Sequence, residues 1–153
     1  MSAKATIYGK MIRYLESATH IRWLHPDYYR GHMIQIKRVY KPVSLEDGHR
    51  YLVDRFWRRG IKRENLALEA WIKEVAPSDN LENWFAHNPA KGDGFCRRYF
   101  AELDDKPEIW RIFPDTAHQG NITLLFGAKD IRHNNAVALK LHLEAHHSPE
   151  GKQ

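Results

Sequence analysis

One cysteine, Cys96, stands among 153 residues. No disulfide can form within the chain, and nothing in it calls for an oxidising compartment. No apolar run approaches the roughly 20 residues that span a bilayer, so no membrane partner is expected. The first 30 residues lack a continuous apolar core and a small-residue cleavage site, so no secretory signal is expected and the chain reads as cytoplasmic. Glycine-rich dinucleotide and phosphate-loop fingerprints are absent, as is the G-x-S-x-G elbow of serine hydrolases. We therefore expect no cofactor, and a methyltransferase reading finds no glycine-rich loop to rest on. There is no internal repeat, no low-complexity tract and no Gly/Ser linker.

What is present is an ordinary globular composition, 42% hydrophobic and 28% charged, at a length that suits one domain with a proper core. The net charge of +5 is unevenly spread. Residues 1–32 carry Lys4, Lys10, Arg13, Arg22 and Arg30 against Glu16 and Asp27, a net of +3, leaving only +2 for the remaining residues. Met33 opens a clean strand pattern and could itself be the translation start, which would remove most of the basicity. The reading divides the chain into an N-terminal extension (1–32), an α/β domain (33–146) and a polar tail (147–153).

Residues 34–40 alternate apolar and polar side chains, as a half-buried strand does. A nine-residue connection, 41–49, holds Pro42 and the turn-like Glu46-Asp47-Gly48. It is short for a parallel crossover, so the first two strands could be antiparallel, or parallel with one helical turn between them. Tyr51-Leu52-Val53 reads as the second strand. A helix is expected from about Arg63 to Val75, with Leu68, Trp71, Ile72 and Val75 on one face. Ala76-Pro77 ends it. A short helix or turn follows over 79–86. Asn88-Pro89 then starts a helix running to about Asp104, with Phe95, Tyr99 and Leu103 on one stripe. Residues 107–119 read as helical but broken or kinked by Pro114. A buried strand covers 122–127, and a last helix runs from near Arg132 to Ala145 with Ala136, Leu139 and Leu143 inward.

Two stretches share one layout, an apolar run followed at once by charged groups: Tyr51 to Gly60, and Thr123 to Asn134. Each reads as a buried strand with basic side chains at its C-terminal end, the edge where open α/β sheets bind ligands. Arginine suits phosphate or carboxylate because its planar fork donates two parallel hydrogen bonds. Arg55, Arg58 and Arg59 supply three such groups, Lys129 adds a point charge, and the last helix would turn its positive end to the same region. Structural roles stand beside these. Asp130 could be the N-cap of the last helix, Arg55 could pair with Glu74 or Asp54, and Trp57 could be core. His133 and His87 are acid–base candidates. His142 and His146 lie four apart on the last helix, but Leu143-Glu144-Ala145 between them departs from the zinc-protease order. They read as a solvated face, and no metal is expected. Cys96 has no activating neighbour and reads as packing.

Five stretches carry a family resemblance: Val53-Asp54-Arg55-Phe56-Trp57-Arg58-Arg59-Gly60, Trp71-Ile72-Lys73-Glu74-Val75-Ala76-Pro77-Ser78, Trp84-Phe85-Ala86-His87-Asn88-Pro89, Phe95-Cys96-Arg97-Arg98-Tyr99, and Thr123 to Asp130 with His133-Asn134. In order and spacing the domain resembles the YeaO-like family of uncharacterised bacterial proteins, domain of unknown function 488. The resemblance implies a compact α/β domain, a small mostly parallel sheet flanked by helices. It also implies that Arg55, Arg59, Lys73, Glu74, His87, Lys129, Asp130, His133 and Asn134 fall on motif positions. Family members usually have proline where Arg58 stands and aspartate where Asn88 stands, so Arg58 is the weaker site residue and no carboxylate stands at 88. No activity comes with the resemblance.

The leading expectation is a protein that binds a small phosphorylated or carboxylated molecule, as an enzyme or otherwise. Arg55, Arg59, Lys73, Lys129, Asp130 and Asn134 would bind it, and Glu74, His87 and His133 are the catalytic candidates. The alternatives are a nucleic-acid-associated protein, using the basic N-terminal segment with Trp23, Tyr28 and Tyr29, and a protein-interaction module.

Overall fold

The computed structural model describes residues 32–146. The N-terminal extension up to residue 31 and the tail from 147 lie outside the described residues, as do the expectations attached to them. Four strands form one sheet: β1 (Ile34–Arg38), β2 (His49–Leu52), β3 (Ala70–Trp71) and β4 (Ile122–Phe126). Their order is β1-β4-β2-β3, and every pairing is parallel. β4 is Ile-Thr-Leu-Leu-Phe, buried throughout, because it lies in the middle with a neighbour on each side. β1 at the edge turns Ile34 and Ile36 to the main core, Ile34 buried and the rest half-exposed.

The short connection between β1 and β2 is therefore parallel, with a single 3-10 turn at Leu45–Asp47. Ser44 and Asp47 close a capping box on that turn. Asp47 then reaches inward, bonding Lys37 Nζ at 2.6 Å and the guanidinium of buried Arg50, whose Nε donates to Leu66 O at 2.8 Å. Burial pushes the Asp47 carboxyl up, but hydrogen bonds from Lys37, the Ser44 backbone and Arg50 outweigh it and leave it below its ordinary range.

The pleat divides the sheet into two unequal cores. Ile34, Tyr51, Val53, Ile122, Leu124 and Phe126 face α1 (Asp79–Phe85), α2 (Gly92–Asp104), α3 (Pro107–Trp110), α4 (Ile112–Ala117) and α5 (Asn135–Ala145). The opposite face, Leu52, Leu125 and Val39, is covered by the chain between β2 and β3 through Trp57, Ile61, Leu66, Leu68 and Trp71. All five α-helices thus sit on one side and a loop on the other. A fully buried side chain such as Leu124 contributes roughly 1.5–3 kcal/mol by leaving water.

The helix expected over Arg63–Val75 does not form. A 3-10 turn (Arg63–Asn65), β3 and a second 3-10 turn (Lys73–Val75) stand there instead. Its apolar residues match a helical stripe, yet they belong to different cores: Leu68 and Trp71 pack on the loop-covered face, Ile72 and Val75 on the helical one. No single helix face serves both. The backbone bonds go to β2, Glu69 N to Arg50 O at 2.8 Å and Ile72 N to Leu52 O at 2.9 Å. Ala67, in the left-handed region (φ 47), sets the turn into β3.

The local signals over residues 88–119 agree with the structure. Asn88 caps a 3-10 turn (Pro89–Lys91) that leads into α2, burying Phe95, Tyr99 and Leu103. The break before Pro114 falls at Arg111, between α3 and α4. Proline has no N–H for Trp110 O four residues back, so the ladder restarts there. α5 begins at Asn135, not near Arg132, and its N-cap is Asn134, not Asp130: the Asn134 side chain accepts from Val137 N at 3.0 Å. α5 buries almost its whole surface, including His142, which is 1% exposed. The solvated histidine face is therefore corrected, because α2 and α3 close over that side of the helix with Phe100 and Trp110. Among the described residues, no helix is long and apolar enough to cross a membrane.

Candidate functional site

Parallel strands bring all four C-terminal ends to one edge. After β4 the chain turns into α5, which packs on β1 and β4; after β2 it leaves the other way, toward β3. The crevice between the ends of β4 and β2 is thus the switch point of the sheet, where open α/β folds leave room for a ligand.

Gly127 and Asp54 meet in that crevice. Asp54, 6% exposed, accepts from Gly127 N at 2.9 Å and from Arg58 Nε at 3.1 Å with the same Oδ2. A Cβ on Gly127 would fall 2.0 Å from Arg58 Nε, so the glycine is what lets the guanidinium lie across the end of β4. From the other side Arg38, last residue of β1, donates to Gly127 O at 3.3 Å, while its buried Nε has no hydrogen-bond partner among the described residues. Asn135, at the start of α5, donates to Val53 O at 3.0 Å and ties the positive end of that helix to the end of β2. Two guanidiniums therefore approach one glycine, and one buried carboxylate holds that glycine's N–H and the Arg58 guanidinium.

Glu82, half-buried on α1, is the second carboxylate of this neighbourhood. Burial raises its pKa above the ordinary value, and it feels the charges of His87, Asp54, Arg55 and Arg58. Ala86 (φ 46) and His87 (φ 54) are successive left-handed residues that turn the chain sharply out of α1. The turn leaves His87 exposed and within electrostatic reach of Glu82. Behind them Tyr99 is fully buried, its hydroxyl donating to Val75 O.

The sequence-derived candidates divide by place. Arg55 lies at this edge but points to α1, donating to Pro77 O at 2.7 Å with Nε 3.3 Å from Asp79; neither Glu74 nor Asp54 is its partner. Arg59 is exposed on the loop after β2. Lys73 and Glu74 are exposed on the 3-10 turn after the edge strand β3, Lys73 lying over the Trp71 ring. Lys129 is exposed after β4. Asp130 accepts from the backbone N–H groups of Arg132 and His133 and from the His133 ring at 2.8 Å. Those contacts, Arg132 N–H foremost, hold its carboxyl below the ordinary range. Asn134 is buried, capping α5 and donating to Asp130 O. Trp57 is half-buried over the small core. Cys96 packs against the main core, and burial, with Asp93 nearby, pushes its thiol up to about 11, so it is not a poised nucleophile.

A family model, DUF488-N3i, described as the inactive DUF488-N3 subclade, matches residues 33–153. The chain belongs to this family. It is 42% identical over 106 residues to the uncharacterised protein YeaO of Escherichia coli, covering 69% of this chain and 92% of that protein. Uncharacterised proteins of Mycobacterium bovis and Mycobacterium tuberculosis are each 42% identical over 76 residues, covering 50% of this chain and 64% of theirs. No solved structure matches the chain.

Arg38 and Glu82 escaped the sequence reading. Arg38 carried only the signal of a basic residue closing the first strand; its place beside Gly127 follows from its register against Phe126, which the sheet alone sets. Glu82 carried none: on a short amphipathic helix it looks like any solvent-side glutamate, and only the approach of β2's loop reveals its surroundings.

Proposed function

We propose that the protein binds a small phosphorylated or carboxylated molecule at the crevice between β4 and β2, and that it holds this molecule without transforming it. The observation that carries the reading is the convergence of Arg38 and Arg58 on Gly127, with Arg38 Nε buried and unpartnered. A buried guanidinium nitrogen without an acceptor costs free energy, and an anion seated at the end of β4 would offset that cost. The dipole of α5 adds in the same sense. An anion seated beside Arg58 would push the already raised Glu82 carboxyl further up, so binding would tighten as pH falls. Binding rather than turnover is favoured by the family's own description as inactive. A cytoplasmic setting, rich in such metabolites, belongs to the same proposal.

Thermal unfolding of the full chain against inorganic phosphate, nucleotides, sugar phosphates and small carboxylates tests it. A ligand at 100 times its dissociation constant adds about 2.7 kcal/mol, roughly 5–10 °C for a domain of this size. We expect such a shift for one anion class, lost in Arg38→Ala and Arg58→Ala and kept in Arg63→Ala. No shift with any anion, or an equal shift in the Arg38→Ala/Arg58→Ala double variant, would overturn the reading in favour of a macromolecular partner.

A further inference from the structure

At the far end of α5 a second group of polar side chains gathers where the main core reaches the surface. Asp104 ends α2; His142 stands in the last turn of α5, and His146 is its C-cap. Their ligating atoms all lie within 4.8 Å of one another. Oδ1 of Asp104 is 3.2 Å from His146 Nε2 and 3.9 Å from His142 Nε2. Donors around a tetrahedral zinc sit about 3.3 Å apart, given bonds of about 2.0–2.1 Å. The three are therefore within a small rotation of a ligating geometry.

Three further observations point to a cation. His142 is 1% exposed, and neither of its ring nitrogens has a hydrogen-bond partner among the described residues. An imidazole so buried normally spends at least one nitrogen on a hydrogen bond; here Nε2 is directed at Asp104 and left unused. His146 donates Nδ1–H to His142 O at 2.9 Å, which turns Nε2 toward Asp104, 3.2 Å from its Oδ1. A histidine ligand is commonly oriented in this way, by the hydrogen bond of its other nitrogen to a backbone carbonyl. Finally, α2 and α5 both bring their C-terminal ends here, and Asp104 adds a formal negative charge to two negative dipole ends. Unfavourable as an isolated arrangement, this is a good field for a positive ion.

We propose that Asp104, His142 and His146 form a binding site for a borderline transition-metal ion, zinc being the type case, which pins the end of α2 to the end of α5. Two imidazoles and one carboxylate suit zinc, cobalt or nickel better than magnesium or calcium, which take oxygen ligands. Trp110 walls the site, its ring 5.0 Å from His142 and 5.2 Å from His146. His146 and Asp104 are about 40% exposed, so an ion can enter from solvent and keep a water as fourth ligand. The site lies at the opposite end of α5 from the strand-end crevice, roughly 16 Å away along an eleven-residue helix. It stands independently of the anion reading and reverses the expectation, drawn from the residues between the two histidines, that no metal binds.

The test uses the tag-free full chain, stripped with a chelator and titrated with zinc alone and with cobalt alone. We expect one ion per chain, a rise in melting temperature, and the visible absorption of cobalt in a low-symmetry nitrogen–oxygen site. His146→Ala and Asp104→Ala, both at partly exposed positions that leave the core filled, should each weaken binding at least tenfold, while His133→Ala should not. Failure of both metals to bind, or binding unchanged in the His146→Ala/Asp104→Ala double variant, would overturn the proposal.

Discussion

The loop after β2 sends its polar side chains to other elements, whereas the loop after β4 spends its own on itself. Asp54 reaches Gly127, Arg55 reaches Pro77 and Asp79, and Arg58 lies over the end of β4. In contrast, Asp130 binds the next two backbone N–H groups and the next histidine, and Asn134 closes the loop and caps α5. The first loop is a bridge among three parts of the edge, and the second is a self-contained turn. A cluster of charged residues at a strand end therefore says little until it is known whether its partners are local. Only groups held by distant elements keep a shape that a ligand can rely on.

The sharpest way to break the comparison is to remove the matching carboxylate from each loop. Asp54→Ala strands the buried N–H of Gly127 and frees Arg58, and we expect it to cost about 2–3 kcal/mol in urea unfolding. Next comes Gly127→Ala, whose methyl group must expel the Arg58 side chain; about 1–2 kcal/mol is expected. Combined with Arg58→Ala it should cost clearly less than the two singles together, and simple additivity would show that the contact is not the cause. Asn134→Ala removes the α5 cap for about 1 kcal/mol, most of which Asn134→Asp should recover. The smallest effect belongs to Asp130→Ala, under about 0.5 kcal/mol, since its partners are all in an exposed turn.

Glu82 sharpens the comparison by sign. Its folded pKa is raised, so the folded state binds its proton more tightly than the unfolded chain does. The penalty is absent below the ordinary value of 4.5 and grows as pH rises through the folded pKa. Glu82→Gln should therefore stabilise the protein at neutral pH and have no effect in acid. A stability-versus-pH curve parallel to that of the parent chain would show that Glu82 does not sense this edge.

The parts of the fold that proved legible were those whose signals are local. The Asn88 cap, Pro107, Pro114, the pattern of β1 and the unbroken apolar run of β4 all act within a few residues. The stretch from Arg63 to Val75 was misread because its helical spacing is genuine but its apolar side chains serve two cores on opposite faces of a sheet. His142 was misread for the related reason that its burial comes from Phe100 and Trp110, more than 30 residues away in sequence.

By itself, then, the sequence determined a single α/β domain, the strands that supply its core, and the basic character of the edge after β2. Its motifs also placed the chain in its family. Tertiary structure alone decided the strand order, that the helices share one face, and that Arg38, Arg58 and Asp54 meet at Gly127. It also decided that Asp104, His142 and His146 gather at one point. The physical reason is range. Backbone propensity, capping and periodicity act within one or two turns of chain, whereas a site is made where burial forces groups distant in sequence to answer one another's charge and hydrogen bonds.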